Sequence, residues 1–150
     1  MNEKQNPEDV LLRKRRAELR DLGYTFIYDS NLNFITANSK GNNVVYPKIT
    51  RAASFDLSNL SADMSINEGQ ISLYVKKGTS VGEYLIWHGV CPHEGAPINE
   101  SSVCEGLAKC RWHGLTFKAL NVKSDGTEKN LFNMVLWIDA NQQLHVKGLG

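Results

Sequence analysis

Two cysteines and two histidines in this chain stand at spacings that suit metal ligation. The stretch Cys91-Pro92-His93-Glu94-Gly95-Ala96-Pro97 sets a thiol and an imidazole on either side of a single residue. Cys110-Arg111-Trp112-His113-Gly114 sets the same pair on either side of two. Sixteen residues, 94–109, separate His93 from Cys110. Thiolate and neutral imidazole are ligands of zinc and of iron–sulfur clusters alike. Pro92 and Pro97 stiffen the first loop and remove two amide donors, while Gly95 permits backbone angles that other residues avoid. Neither loop closes a site alone, so the fold must bring the two together.

The order of the ligands narrows the chemistry. The common Cys2His2 zinc finger places both cysteines on one element and both histidines on another. Here each loop carries one of each, which does not match. A four-ligand structural zinc site of another design remains open. So does a [2Fe–2S] cluster in which two thiolates hold one iron and two imidazoles the other, a demand that two such loops would meet.

With CPHEGAP and CRWHGLTF side by side, the chain resembles the Rieske iron–sulfur domain, whose pattern is C-x-H followed at a distance by C-x-x-H. The likeness is strongest over residues 70–118 and extends more weakly to about 147. It implies a mainly β fold: an antiparallel β-sandwich with a cluster-binding subdomain, the two ligand loops at one tip. It implies that Cys91 and Cys110 bind the inner iron and His93 and His113 the outer iron, on the edge that faces a redox partner. Quinol-oxidising members carry an extra cysteine in each loop and hydroxyl residues after the second histidine. This chain has Ala96 and Trp112, then Leu115 and Phe117, at those places. Hydrogen bonds to the sulfurs stabilise the reduced cluster, so their loss implies a potential of about −150 mV rather than the positive end of the range. The resemblance is thus to ferredoxins and oxygenase N-terminal domains. It implies a one-electron carrier whose partners are a reductase, an oxygenase or both.

An oxygenase would need a second, mononuclear iron held by two histidines and a carboxylate. Only His88 and His145 remain for it, far apart in sequence. The chain alone is therefore not expected to be catalytic. It reads as a carrier, as a domain of a larger oxygenase, or as a binding or regulatory module whose metal is structural or absent. The segment Lys118–Asn130, where the family carries a proline-containing third loop, has no proline: the four are Pro7, Pro47, Pro92 and Pro97. A more exposed cluster is expected from that.

The elements that must position the loops can be read from pattern. Asn6-Pro7-Glu8-Asp9 is a helix start with a capping side chain, a proline suited to the first turn and two acids. The helix is expected to run to about Leu22 and stop at Gly23, with Leu11, Leu12, Leu19 and Leu22 as its apolar stripe and Arg13 to Arg16 as a solvated basic face. This divides the chain into a helical extension, 1–23, and a domain, 24–150. A hairpin is expected in YTFIYDSNLNFIT, a strand in VVYPKIT and loop over residues 51–69. Strands follow in ISLYVKKG and EYLIWHG, and LFNMVLWIDANQQLHVKG reads as a closing hairpin that turns near Asp139–Gln142. His88 is expected to be hydrogen-bonded and structural, His145 to sit on a strand surface, and Cys104 to be a plain cysteine.

Composition sets the outer bounds. The chain has 150 residues, 41% hydrophobic and 22% charged, which suits one soluble domain with a short appendage. A net charge of +1, from 17 basic and 16 acidic residues, argues against a nucleic-acid binder. There is no apolar run long enough to span a bilayer and no apolar leader core at the start, so a cytoplasmic protein is expected. Three cysteines cannot complete a disulfide framework.

Overall fold

The computed structural model describes residues 7–26, 44–92, 95–104, 106–109 and 116–149. One helix, α1 (Pro7–Asp21), precedes a series of short antiparallel strands. They are β1 (Thr25–Phe26), β2 (Val44–Val45), β3 (Ala53–Asp56), β4 (Asp63–Glu68), β5 (Ile71–Lys77) and β6 (Glu83–His88). A 3-10 turn, Glu100–Ser102, leads to β7 (Val103–Cys104), β8 (Leu107–Lys109) and β9 (Thr116–Lys118). The chain closes with β10 (Leu120–Lys123), β11 (Lys129–Leu131), β12 (Met134–Ile138) and β13 (Gln143–Gly148). This is the mainly β architecture, with one helix, that the pattern predicts. Among the described residues no helix is long and apolar enough to cross a membrane.

Two four-stranded sheets, ordered β10-β6-β5-β4 and β11-β12-β13-β3, share one apolar core. Alternation in β5 and β6 builds it. Side chains along a strand point to opposite faces in turn, so Ile71, Leu73 and Val75, with Tyr84 and Ile86, face Met134, Leu136, Ile138, Leu144 and Val146 of the second sheet. The intervening Tyr74, Leu85 and Trp87 leave by the other face. There they pack with Ala108, Val103 and Phe117 of the three-stranded sheet β7-β8-β9. One pair of strands therefore carries two cores: the main one, and the floor of the subdomain that holds both candidate ligand loops.

The structure departs from the sequence reading in two places. Residues 51–69 hold β3 and β4 where loop was expected. Both are edge strands: β3 alternates half-buried and exposed residues and β4 buries only Ile66, so neither shows an apolar run. In VVYPKIT only Val44–Val45 is strand, paired to β1 through Phe26↔Val44, and the chain beyond Pro47 packs Ile49 into the main core without a ladder. The hairpin expected in YTFIYDSNLNFIT falls largely on residues 27–43, outside the described residues, and Phe26 finds its partner beyond them. Within Lys118–Asn130, Leu120–Lys123 is β10, hydrogen-bonded along β6.

The closing hairpin forms as expected, with β12 and β13 in register from Met134↔Gly148 to Ile138↔Leu144 and a turn at Asp139–Gln142. Leu136 and Leu144 are fully buried in it. Truncating Leu136→Ala removes a side chain that both main sheets enclose. We expect a loss of about 2–5 kcal/mol in unfolding free energy, read as a lower urea midpoint with an unchanged slope.

Candidate metal centre

The first loop grows directly out of β6. After His88 the chain forms Gly89-Val90-Cys91 and doubles back. Cys91 N–H donates to Ala96 O at 2.9 Å, Gly95 N–H to Cys91 O at 2.7 Å, and Ile98 N–H to Gly89 O at 3.0 Å. Val90 and Pro97 bridge across its neck. Gly95 holds φ at +84°, a conformation that glycine adopts without steric cost. Cys91 is fully buried, in the cluster formed by Tyr74, Trp87, Ala96, Ile98 and Ala108.

Residues 110–115 join β8 to β9, and the pairs Ala108↔Phe117 and Lys109↔Thr116 bring their two ends together. Trp87 Nε1 donates to Phe117 O at 3.3 Å, which ties β9 to the strand that delivers Cys91. Ala108 and Phe117 belong to the same apolar cluster as Cys91. The fold thus brings the base of the second loop against the thiol of the first. Of the four candidate ligands, Cys91 is described; His93, Cys110 and His113 lie outside the described residues, as do Glu94, Arg111, Trp112 and Leu115. Among the described residues no group of three or more His, Cys, Asp or Glu side chains is placed to hold a metal.

The two remaining histidines have other work. His88 is buried, its Nδ1 accepting from Val90 N–H at 3.0 Å. That makes Nε2 the protonated nitrogen, donating to Asn133 Oδ1 at 3.2 Å, and Asn133 Nδ2 donates in turn to Pro47 O at 2.7 Å. Burial pushes His88 down to about 3; the Asn133 contact opposes the shift and the Arg15 charge adds to it. His145 sits on β13 between Ser54 Oγ at 2.8 Å and Asp139 Oδ2 at 2.9 Å, stacked on Trp137. Cys104 is an exposed thiol on β7.

The groups that sequence reasoning missed come from the N-terminal segment. Arg15 Nε donates to Gly95 O at 2.9 Å, and its Nη2 lies 3.5 Å from Gly89 O. Burial lowers the Arg15 pKa from its usual value, with Glu18 opposing. The Tyr46 hydroxyl donates to Val90 O at 2.6 Å, and its pKa is pushed well up by burial. Of the expected leucine stripe of α1, Leu19 is buried as read and Leu11 and Leu22 are not. Leu12 has no described side chain, and Arg15 and Arg16 turn inward with Leu19. The solvated basic face is likewise half wrong: Arg13 and Lys14 are exposed, but Arg16 is 4% exposed, over the Phe26 ring. The available signal was spacing, since Arg15 and Leu19 are four apart and share a helix face.

A family model describing the Rieske [2Fe-2S] domain matches residues 48–145. The chain belongs to the Rieske domain family. No curated protein and no solved structure matches it significantly. The Rieske family binds a [2Fe–2S] cluster, and the described residues fit that group. A buried thiol stands in an apolar cluster at a loop whose backbone is closed by its own hydrogen bonds, and the strands that flank residues 110–115 lie in the same cluster.

The His88 network yields a test of this geometry. Its folded-state pKa lies below the ordinary 6.5, so below that pH the unfolded chain binds a proton that the folded chain refuses. Stability contributed by the neutral ring is complete above about pH 6.5 and is lost as pH falls toward 3, at up to about 1.4 kcal/mol per unit. Unfolding free energies at pH 7.5 and 5.5 should show this slope in the wild type and a shallower one in His88→Gln.

Proposed function

We propose that Cys91, His93, Cys110 and His113 hold the [2Fe–2S] cluster, the cysteines on the inner iron and the histidines on the outer. The observation that carries this reading is the burial of Cys91 in the same cluster as the strands that launch residues 110–115. When bound, the cluster supplies one-electron chemistry. The protein's residues do the rest. Ala96, Ile98, Trp87 and Ala108 exclude water from the Cys91 side. The backbone bonds within 89–98 fix the loop. Arg15 places a positive charge beside it, which favours the more negative, reduced state.

In this reading the chain is an electron carrier of the low-potential, ferredoxin or oxygenase type. It receives electrons from a reductase and passes them to an oxygenase or another redox enzyme, in the cytoplasm, and has no catalytic activity of its own. Its division is a helical extension over 1–23 and the Rieske domain over 24–150. The low potential is supported by Leu115 and Phe117, which lack the hydroxyls that would bond the sulfurs.

Protein purified without oxygen should contain two irons and two sulfides per chain and give a Rieske-type paramagnetic resonance signal once reduced. Its midpoint should fall at about −150 mV. Cys91→Ser and Cys110→Ser should each abolish the signal and lower the iron content, whereas Cys104→Ser should leave both unchanged. A colourless wild type holding one zinc, or no metal, would overturn electron transfer in favour of a structural site and a binding role.

A further inference from the structure

Residues 7–26 and 44–46 lie N-terminal to the matched stretch, 48–145, yet they hold much of the first ligand loop's polar backbone. Arg15 takes the carbonyl of Gly95 at 2.9 Å and approaches that of Gly89 at 3.5 Å. Tyr46 takes Val90 O at 2.6 Å, and Val44 N–H takes Pro92 O at 3.1 Å. The carbonyls lie on both sides of Cys91. The apolar half of the contact is equally close. A side chain at Gly95 would put its Cβ 2.8 Å from Leu19 Cδ1 and 3.3 Å from Phe26 Cε1. Leu19, Tyr24, Phe26 and Val44 form one cluster with Val90 of the loop.

We propose that residues 7–26 and 44–46 form a bracket that positions the first ligand loop, with Arg15 as its principal tie. The proposal rests on the reading that Cys91 and His93 are ligands. A guanidinium presents a rigid fork of donors, and here the fork spans carbonyls two residues before Cys91 and four after it. The loop cannot swing about Cys91 without stretching a charge-assisted bond whose donor is held by α1. The Arg15 charge is solvated by carbonyl dipoles at those contacts, and Glu18 of the same helix partly offsets it. Arg15 is thus a positioning residue: it fixes the loop and biases its potential through the carbonyls of Gly95 and Gly89.

The test compares Arg15→Met, Arg15→Lys and Leu19→Ala with the wild type as cluster-loaded protein. Arg15→Met should lose its cluster to a chelator about tenfold faster, which is the lower end of what a charged hydrogen bond contributes. Its midpoint should move to more negative potential and its resonance g values should shift. Arg15→Lys, which keeps the charge and one donor, should recover part of each change. Leu19→Ala should speed cluster loss and shift the g values while leaving the charge in place. Wild-type loss rates and g values in Arg15→Met would overturn the proposal. So would equal loss of thermal stability in all three variants with the g values unmoved, since the helix would then be a stability element only. If the wild type itself gives no Rieske signal, the ligand reading fails and the bracket is judged by amide exchange alone. Faster exchange at Cys91 and Gly95 in Arg15→Met, with β12 and β13 unchanged, would support it; unchanged exchange at Cys91 and Gly95 would overturn it.

Discussion

A buried loop must find a partner for every peptide group it takes out of water, and this constraint organises the molecule around Cys91. Each carbonyl from Gly89 to Pro92 is spoken for: Gly89 by Ile98, Val90 by Tyr46, Cys91 by Gly95 and Pro92 by Val44. Two of those partners belong to the loop and its return, and two come from the segment that precedes the matched domain. A structure that supplied only the first two would leave Val90 and Pro92 unsatisfied beside a fully buried thiol, at a cost of about 1–3 kcal/mol each. The N-terminal segment is therefore part of what permits Cys91 to be buried at all.

The second dependence runs through β5 and β6. Their alternation places Leu73, Val75, Tyr84 and Ile86 in the main core and Tyr74, Leu85 and Trp87 under the ligand subdomain. The two cores are opposite faces of one ladder, so the register Tyr74↔Trp87 and Val75↔Ile86 orients both. A slip of one residue would exchange the faces. Tyr74 is anchored further by its hydroxyl, which donates to Asp63 across the neighbouring strand. The ligand loop leaves β6 from this ladder, and its position is inherited from core packing in the sheets.

That division explains what was legible in the sequence. The strands that meet both cores, ISLYVKK and EYLIWH, show dense apolar runs and were read correctly. So was the closing hairpin, whose Met134, Leu136 and Ile138 alternate into the core. The family was legible because cluster chemistry restricts residue type at each position of its motif. The edge strands β3 and β4 were not, because they meet water on one side and bury little. Nor was the bracket. Arg15 reads as one cation in a run of four, and its spacing from Leu19 puts it on a shared helix face without telling what its guanidinium meets. Only the backbone it contacts, 80 residues away along the chain, makes the difference.

His88 and Arg15 end in opposite protonation states, although burial lowers the pKa of both. His88 gives up its charge because a neutral ring can satisfy both neighbours, accepting from Val90 N–H and donating to Asn133. Arg15 cannot give up its charge: burial lowers its pKa, but from so high a start that the guanidinium stays protonated. Carbonyl oxygens supply the solvation that water no longer does. Between about pH 4 and the alkaline range neither group changes state, so the field they place on the loop is constant. Any pH dependence of the electron affinity in that range must then arise from groups other than these two. The fold thus holds the backbone on both sides of Cys91 with a cation on Gly89 and Gly95 and a neutral imidazole on Val90.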